Sequence, residues 1–315
     1  MTPHKTTSDS DSETQQETPA RTVDSPKVWT TLLTNTKYLS GLLTLEYSLR
    51  KHNTKYPFLV LYTSTLEEEG LEALRKRGIP HQQISYLLPK AHKDYSNDTR
   101  FYDCWSKLQP FGLVEYERVV QLDSDMLVLA NMDELMELPL GEESQVFGAS
   151  HACTCNPLKK AHYPLDWVPA NCGYTTQHEN PDEAVHTGPS TTAGLGMCNG
   201  GLQVCNPSRA LYNEICARIK NPAKTDTYDF ADQSLLSDAF RGRWVSLSYK
   251  YNALKTMRWC HKEIWRDEDV KNIHYILSPK PWEDRESDDE THTWWWVVND
   301  ERLEKEKELG VADGF

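Results

Sequence analysis

No stretch of this 315-residue chain approaches the roughly 20 consecutive apolar residues that a bilayer-spanning helix needs. The opening MTPHKTTSDSDSETQQETPARTVDSP has no apolar core of the kind a secretory leader carries. It is rich in Ser, Thr, Asp, Glu and Pro, too poor in apolar surface to offset the entropy of folding, so residues 1–26 read as a disordered tail. Basic stripes are missing too. With 34 Lys and Arg against 47 Asp and Glu, the net charge is −13, which disfavours nucleic acid and anionic membranes. No GxGxxG follows the first strand candidate, which removes the usual dinucleotide cradle. A cytoplasmic protein without a membrane span is expected, with a homodimer allowed as its assembly.

Disulfides are not expected for the eight cysteines, Cys104, Cys153, Cys155, Cys172, Cys198, Cys205, Cys216 and Cys260, in a reducing compartment. The CTC at 153–155, with Cys172 and Cys198, raises zinc, but the spacing matches no common ligand pattern. Buried free thiols are the reading adopted.

What is present alternates between strand and helix signals. KVWTTLLT (27–34) reads as a strand, and YLSGLLTLEYSLRKH places Tyr38, Leu42, Leu45 and Leu49 at helical spacing. PFLVLYT is continuously apolar, as a strand buried on both faces must be. LEEEGLEALRKRG has early acids, late bases and Gly78 as its stop. QQISYL reads as a third strand, and WSKLQPFGLVEY as a helix kinked at Pro110. After VVQLDSDMLVLANMDEL, NGGLQVCNPS returns to a strand, SRALYNEICARIK is a helix capped by Ser208, and DFADQSLLSDAF is another helix. KNIHYIL is the last strand candidate. The alternation predicts an α/β fold: one domain with a central, mainly parallel sheet flanked by helices. Residues 27–282 form that domain. Residues 151–197, dense in Pro, Gly, Asn and Thr, are a long loop insertion and the expected acceptor region. Residues 283–315 are an acidic, aromatic helical tail whose Trp294–Trp296 dock on the domain.

Asp123 and Asp125 stand one residue apart at the end of an apolar run. A buried strand gains nothing from adjacent carboxylates. Residues two apart on a strand face the same way, so both can converge on one hard cation. The competing reading is a polar strand-to-turn junction, since Asp and Ser are common there.

Taken together, the segments resemble the family-8 retaining glycosyltransferases, which include glycogenin and plant galactinol synthases. LLTN at 32–35 with Tyr38, WSKLQPFGLVEYERVVQLDSDMLVLANMDEL, NGGLQV, DFADQSLL and IHYILSPKPW follow the order of the family's blocks over residues 28–282. The resemblance implies a GT-A fold, a UDP-sugar donor and Mn2+ or another divalent cation. It implies that Asp123, Asp125 and His274 bind the metal around Ser124. Leu33, Thr34, Asn35, Tyr38, Lys107, Asn199, Gly200 and Gly201 then hold the donor. Lys280 stabilises the departing β-phosphate. A double displacement through a side chain at the Asp232–Gln233 position stays open; front-face substitution, with Asp232 gripping sugar hydroxyls and Gln233 supporting the positive sugar, is the reading preferred.

The expected activity is therefore transfer of a hexose, from UDP-glucose or UDP-galactose, to a hydroxyl of a small molecule or glycan. Galactinol-type transfer to inositol is the first alternative, and a non-catalytic nucleotide-sugar-binding or priming protein the second. The stretch resembling glycogenin's self-glucosylated region, YNALKTMRWCHK at 251–262, has no clear counterpart of its acceptor tyrosine.

Overall fold

The computed structural model describes residues 18–141 and 144–315. Its strands are β1 (Lys27–Leu33), β2 (Phe58–Tyr62), β3 (His81–Gln83), β4 (Arg118–Leu122), β5 (Met126–Val128), β6 (Phe147–Ala149), β7 (Leu202–Cys205), β8 (Val245–Ser246), β9 (Ala253–Leu254) and β10 (Asn272–His274). Seven of them form one sheet in the order β3-β2-β1-β4-β7-β6-β8. The β3-β2-β1-β4 half is parallel, β7 runs antiparallel to β4 and β6, and β8 is parallel to β6. The sheet is mainly parallel, as the alternation predicts.

Strand pleating sorts side chains between two cores. Val28, Leu59, Leu61 and Val119 pack with Trp105, Phe111, Ile215 and Leu235 on one face. Trp29, Leu33, Phe58, Val60, Val120 and Leu122 pack with Leu42, Leu45 and Leu49 of the Leu39–Lys51 helix on the other. A sheet covered on both faces needs apolar residues at consecutive positions, which is why FLVLY reads as a continuous run; RVVQL is equally buried but carries Arg118 and Gln121.

A smaller sheet, β5-β10-β9, carries the third core. There β10 is antiparallel to β5 and parallel to β9. The long apolar run at 119–135 is therefore two strands in two sheets, β4 and β5, with Asp123, Ser124 and Asp125 as the link.

Other differences from expectation have local causes. The third strand stops at Gln83; Ile84 N donates to Tyr62 O, after which the chain leaves the sheet edge. The segment around Pro110 is a 3-10 helix, Trp105–Gly112, rather than a kinked α-helix; proline, having no N–H, is accommodated in these tighter turns. Packing starts before residue 27: Val23 is buried, Arg21 Nε donates to Glu115 O, and Thr22 N donates to the Tyr116 hydroxyl. The tail boundary expected at residue 26 therefore falls too late, and residues 1–17 lie outside the described residues. The C-terminal helix Glu290–Glu308 docks through Trp295 and Val298, and Trp294 and Trp296 pack at its margin. Its buried Arg302 pairs with Glu306, which also meets Arg77 beside Asp313. Among the described residues no helix is long and apolar enough to cross a membrane.

Candidate active site

The β4–β5 link lies at the C-terminal end of β4, where ligands of parallel sheets bind. Asp123 N donates to Gly201 O at 2.8 Å, tying the link to the entry of β7. Ser124 turns the other way, its hydroxyl donating to Leu32 O at 3.0 Å. This turn, rather than strand pleat, makes both carboxylates converge. The β10 register sets Met126 opposite His274 and so brings the imidazole beside Asp125. His274 Nε2 lies 3.1 Å from Asp125 Oδ1 and 3.6 Å from Asp123 Oδ2. Donor atoms of all three residues fall within 4.8 Å of one another.

Hydrogen bonds settle which imidazole nitrogen faces the carboxylates. Gly201 N–H donates to Asn199 Oδ1 at 3.0 Å, so that atom is an oxygen. It also meets Asn252 at 2.8 Å, which must therefore offer its amide nitrogen there. That leaves Asn252 Oδ1 facing His274 Nδ1 at 2.8 Å. Nδ1 donates, which leaves Nε2 as the ring nitrogen that faces Asp123 and Asp125. Among the described residues, two carboxylates and one imidazole nitrogen converge here, a set that could hold a divalent cation with positions open for a ligand. The outward N–H held by an amide oxygen is the partner such a ligand histidine needs.

Two lysines balance the carboxylates. Lys107 Nζ donates to Asp123 Oδ2 at 2.7 Å. Burial works against its charge, but Asp123 overrides this and holds the ammonium well above its ordinary range. Lys280 Nζ donates to Asp125 Oδ2 at 2.5 Å and to Tyr275 O at 2.7 Å. Burial opposes ionisation of Asp125, yet Lys280 and His274 hold its carboxyl well below the usual range. Burial also lowers the affinity of Lys280 for its proton, and Asp125 opposes that.

Asp232 follows Ala231, whose φ of 43° is left-handed, at the start of the Ala231–Ala239 helix. Its Oδ2 accepts from Gln203 Nε2 at 3.2 Å. Burial raises its carboxyl to about 7; Lys107 pulls it back and Asp123 pushes it further up. Gln233 Oε1 accepts from Gly200 N at 3.2 Å. The two glycines are required by contact: a Cβ on Gly200 would stand 2.4 Å from Asp232 Oδ2, and one on Gly201 2.4 Å from His274 Cε1.

Of the residues expected at the site, Thr34, Asn35, Tyr38, Lys107, Asp123, Ser124, Asp125, Asn199, Gly200, Gly201, Asp232, Gln233 and His274 line one cleft. Leu33 does not: it shares the face of Trp29 and is buried in the core, and Leu32 lines the cleft instead. Lys280 also stands outside the lining, buried behind Asp125. Arg100 and Asp103 were not anticipated. Asp103 accepts from the Thr34 hydroxyl at 2.8 Å, and Arg100, paired with Asp98, brings a cation to the cleft. Their segment, NDTRFYDC, shows no periodicity that sets it apart from a polar loop. The 151–197 segment supplies Ala152, Cys153, Asn156, Pro157, Tyr163 and Trp167 to the opposite wall.

A mainly parallel α/β sheet with a carboxylate pair at a strand end and a cleft over it is the layout of a GT-A glycosyltransferase. The chain belongs to glycosyl transferase family 8, whose model matches residues 30–286. It is 28% identical to galactinol synthase 1 of Ajuga reptans over 293 residues, 90% of this chain and 84% of that one. It is 29% identical to galactinol synthase 2 of Solanum lycopersicum over 298 residues, 90% of this chain and 83% of that one. Among solved structures, the galactosyltransferase LgtC in complex with donor and acceptor sugar analogs matches with a TM-score of 0.56 at 18% identity, covering 87% of this chain and 95% of that chain. The protein is a glycosyltransferase.

Proposed function

We propose that the enzyme transfers a hexose, with retention, from a UDP-sugar to a hydroxyl of a separate small acceptor, and that it needs a divalent cation. The observation that carries this reading is the hydrogen-bond chain from Gly201 N–H through Asn199 and Asn252 to His274, which aims Nε2 at Asp123 and Asp125. A cation held there by Asp123, Asp125 and His274 would neutralise the diphosphate of the donor. Thr34, Asn35 and Tyr38 hold the nucleotide. Lys107 and Arg100 offset the donor's charge from the cleft wall, and Lys280 adds positive charge from behind Asp125, next to the departing phosphate.

In the transfer, the bond from the anomeric carbon to the β-phosphate oxygen breaks and UDP keeps the electron pair. The acceptor oxygen bonds to that carbon from the same face, and its proton passes to the departing phosphate. With a carboxyl raised to about 7, Asp232 is suited to hydrogen-bonding sugar hydroxyls, and Gln233 presents an uncharged amide to the positive sugar.

Transfer of galactose to inositol is the more specific form of this reading. The similarity to galactinol synthases over nearly the whole chain favours it. Tyr163 and Trp167 in the cleft wall offer ring faces and a hydroxyl to a polyol ring. The test is UDP release from UDP-glucose and UDP-galactose, with manganese, with and without myo-inositol or glycan acceptors. Release dependent on acceptor and manganese is expected. No release from any donor would overturn the reading, and release that inositol does not stimulate would remove the inositol form alone.

A further inference from the structure

Away from the carboxylates, the fold gathers a second set of ligand atoms. Cys153, Cys155, Cys172 and His261 are all buried, and their donor atoms lie within 4.8 Å of one another. His261 Nε2 is 3.4 Å from Cys153 Sγ, 3.3 Å from Cys155 Sγ and 3.4 Å from Cys172 Sγ. A tetrahedral zinc ion with ordinary Zn–S and Zn–N bonds separates sulfur and nitrogen ligands by about 3.5 Å. The three distances match that edge, and three thiols around one nitrogen are hard to reconcile with ordinary packing, where a single lone pair takes a single donor.

The surroundings of His261 add an independent observation. His261 Nδ1 lies 2.9 Å from His178 Nε2, and His178 Nδ1 lies 3.7 Å from Glu263 Oε2. With Nε2 given to a metal, Nδ1 must carry a proton and donate it to His178, whose own proton then faces the Glu263 carboxylate. Each group has a partner of the right polarity, as a metal-bound imidazole requires.

We propose that Cys153, Cys155, Cys172 and His261 form a closed structural zinc site, separate from the site of transfer. Three thiolates select zinc over manganese, and four protein ligands leave no open position for chemistry. The site joins two segments far apart in sequence: the 151–197 insertion, held at its start by Cys153 and Cys155 and near its middle by Cys172, and the turn after the Met257–Cys260 helix. Both flank the cleft, through Ala152, Cys153 and Asn156 on one side and Leu254 and Thr256 on the other. The zinc thus pins the wall that bears Tyr163 and Trp167. Cys198 belongs elsewhere, beside the Ser237 hydroxyl at 3.3 Å. Cys260 stands at the margin, 3.6 Å from Cys153 and donating to Thr256 O.

Elemental analysis of the purified full chain tests this without any activity assay. About one zinc per chain is expected, retained through a chelator dialysis that removes manganese and released when a mercurial titrates the thiols. Cys155→Ser and His261→Ala should each lower zinc content at least ~10-fold, whereas Cys198→Ser and Cys260→Ser keep it. Should the first two variants fail to fold, growth of the unaltered chain on cobalt replaces them. Thiolate-to-cobalt charge transfer and the intense visible bands of a tetrahedral centre are then expected. A folded protein without zinc whose thiols react freely would overturn the proposal. A disulfide among these cysteines, zinc retained by both ligand variants, or octahedral cobalt spectra would do so equally. None of these outcomes depends on whether the donor is a UDP-sugar.

Discussion

Asn252 Oδ1 accepts from His274 Nδ1 at 2.8 Å, and this bond decides which nitrogen of the ring faces Asp123 and Asp125. Asn252 touches neither carboxylate among its described hydrogen bonds, so its effect is exerted through His274. Asn252→Ala should weaken manganese activation by about 10- to 100-fold in the metal concentration for half-maximal rate. Excess manganese should restore much of the maximum. A metal titration of turnover checks this, and an unchanged midpoint would mean the amide only fills space.

Asp125 is deeper than a strand-end carboxylate would be, and its ion pair with Lys280 is buried on both sides. Asp125→Asn is therefore expected to cost stability as well as turnover. Removing one member of a buried pair typically costs about 3–5 kcal/mol, at the low end here because burial already favours loss of the Lys280 proton. The double variant Asp125→Asn/Lys280→Met should recover much of that stability and none of the activity. Denaturant melts of the two single variants and the double variant form the cycle. Additive losses would show that the two residues are not coupled.

Asp232 gives a pH dependence of defined sign. Burial raises its folded carboxyl from an ordinary 3.8 to about 7, so between those values the folded chain binds the extra proton. Its contribution to stability is fully present below about pH 4, falls as pH rises toward 7, and stays lost above. Asp232→Asn removes the titration. The variant should gain on the unaltered protein by up to about 4 kcal/mol between pH 4 and 8, measured in chelator so that bound metal does not contribute. A stability difference independent of pH would place the carboxyl in a less buried setting. Activity should fall in the same variant, which separates a stabilising change from a beneficial one.

Much of this site was legible before the structure. The DSD link, the Asn199–Gly201 turn, the Asp232–Gln233 pair and His274 each sit at the edge of a periodic segment, where a polar residue has no packing reason to be. Leu33 was misassigned because pleating alternates faces, and a one-residue error moves a side chain from cleft to core. Arg100 and Asp103 lie in the short Arg100–Cys104 helix, too brief to show a period, and no local pattern distinguishes a cleft residue there. The thiol cluster was hidden for a different reason. Its ligands come from Cys153, Cys155 and Cys172 and then, far along the chain, from His261, so no local spacing records it, and Cys198 was grouped in its place. Contacts between segments distant in sequence are what a linear reading loses.

The remaining prediction concerns self-modification, which the resemblance to glycogenin brings up. A tyrosine accepts sugar only if its hydroxyl can reach the anomeric carbon in the cleft. Tyr249 is fully buried, and its oxygen accepts from Arg266 N at 3.0 Å. Tyr251 donates to Glu134 at 2.9 Å, and neither tyrosine lines the cleft. Tyr38 and Tyr163 do line it. Burial raises the Tyr38 hydroxyl above its ordinary range, with Asp125 adding to the effect, and burial does the same for Tyr163. Both are poor nucleophiles without a base. Incubation with manganese, a small acceptor and each UDP-sugar should leave the intact mass of the chain unchanged while the sugar passes to the acceptor and UDP is released. A ladder of hexose additions would overturn this. If Tyr163→Phe abolished the ladder, the insertion wall would be the acceptor itself; if the ladder persisted, peptide mapping would locate a hydroxyl that reaches the cleft from another molecule.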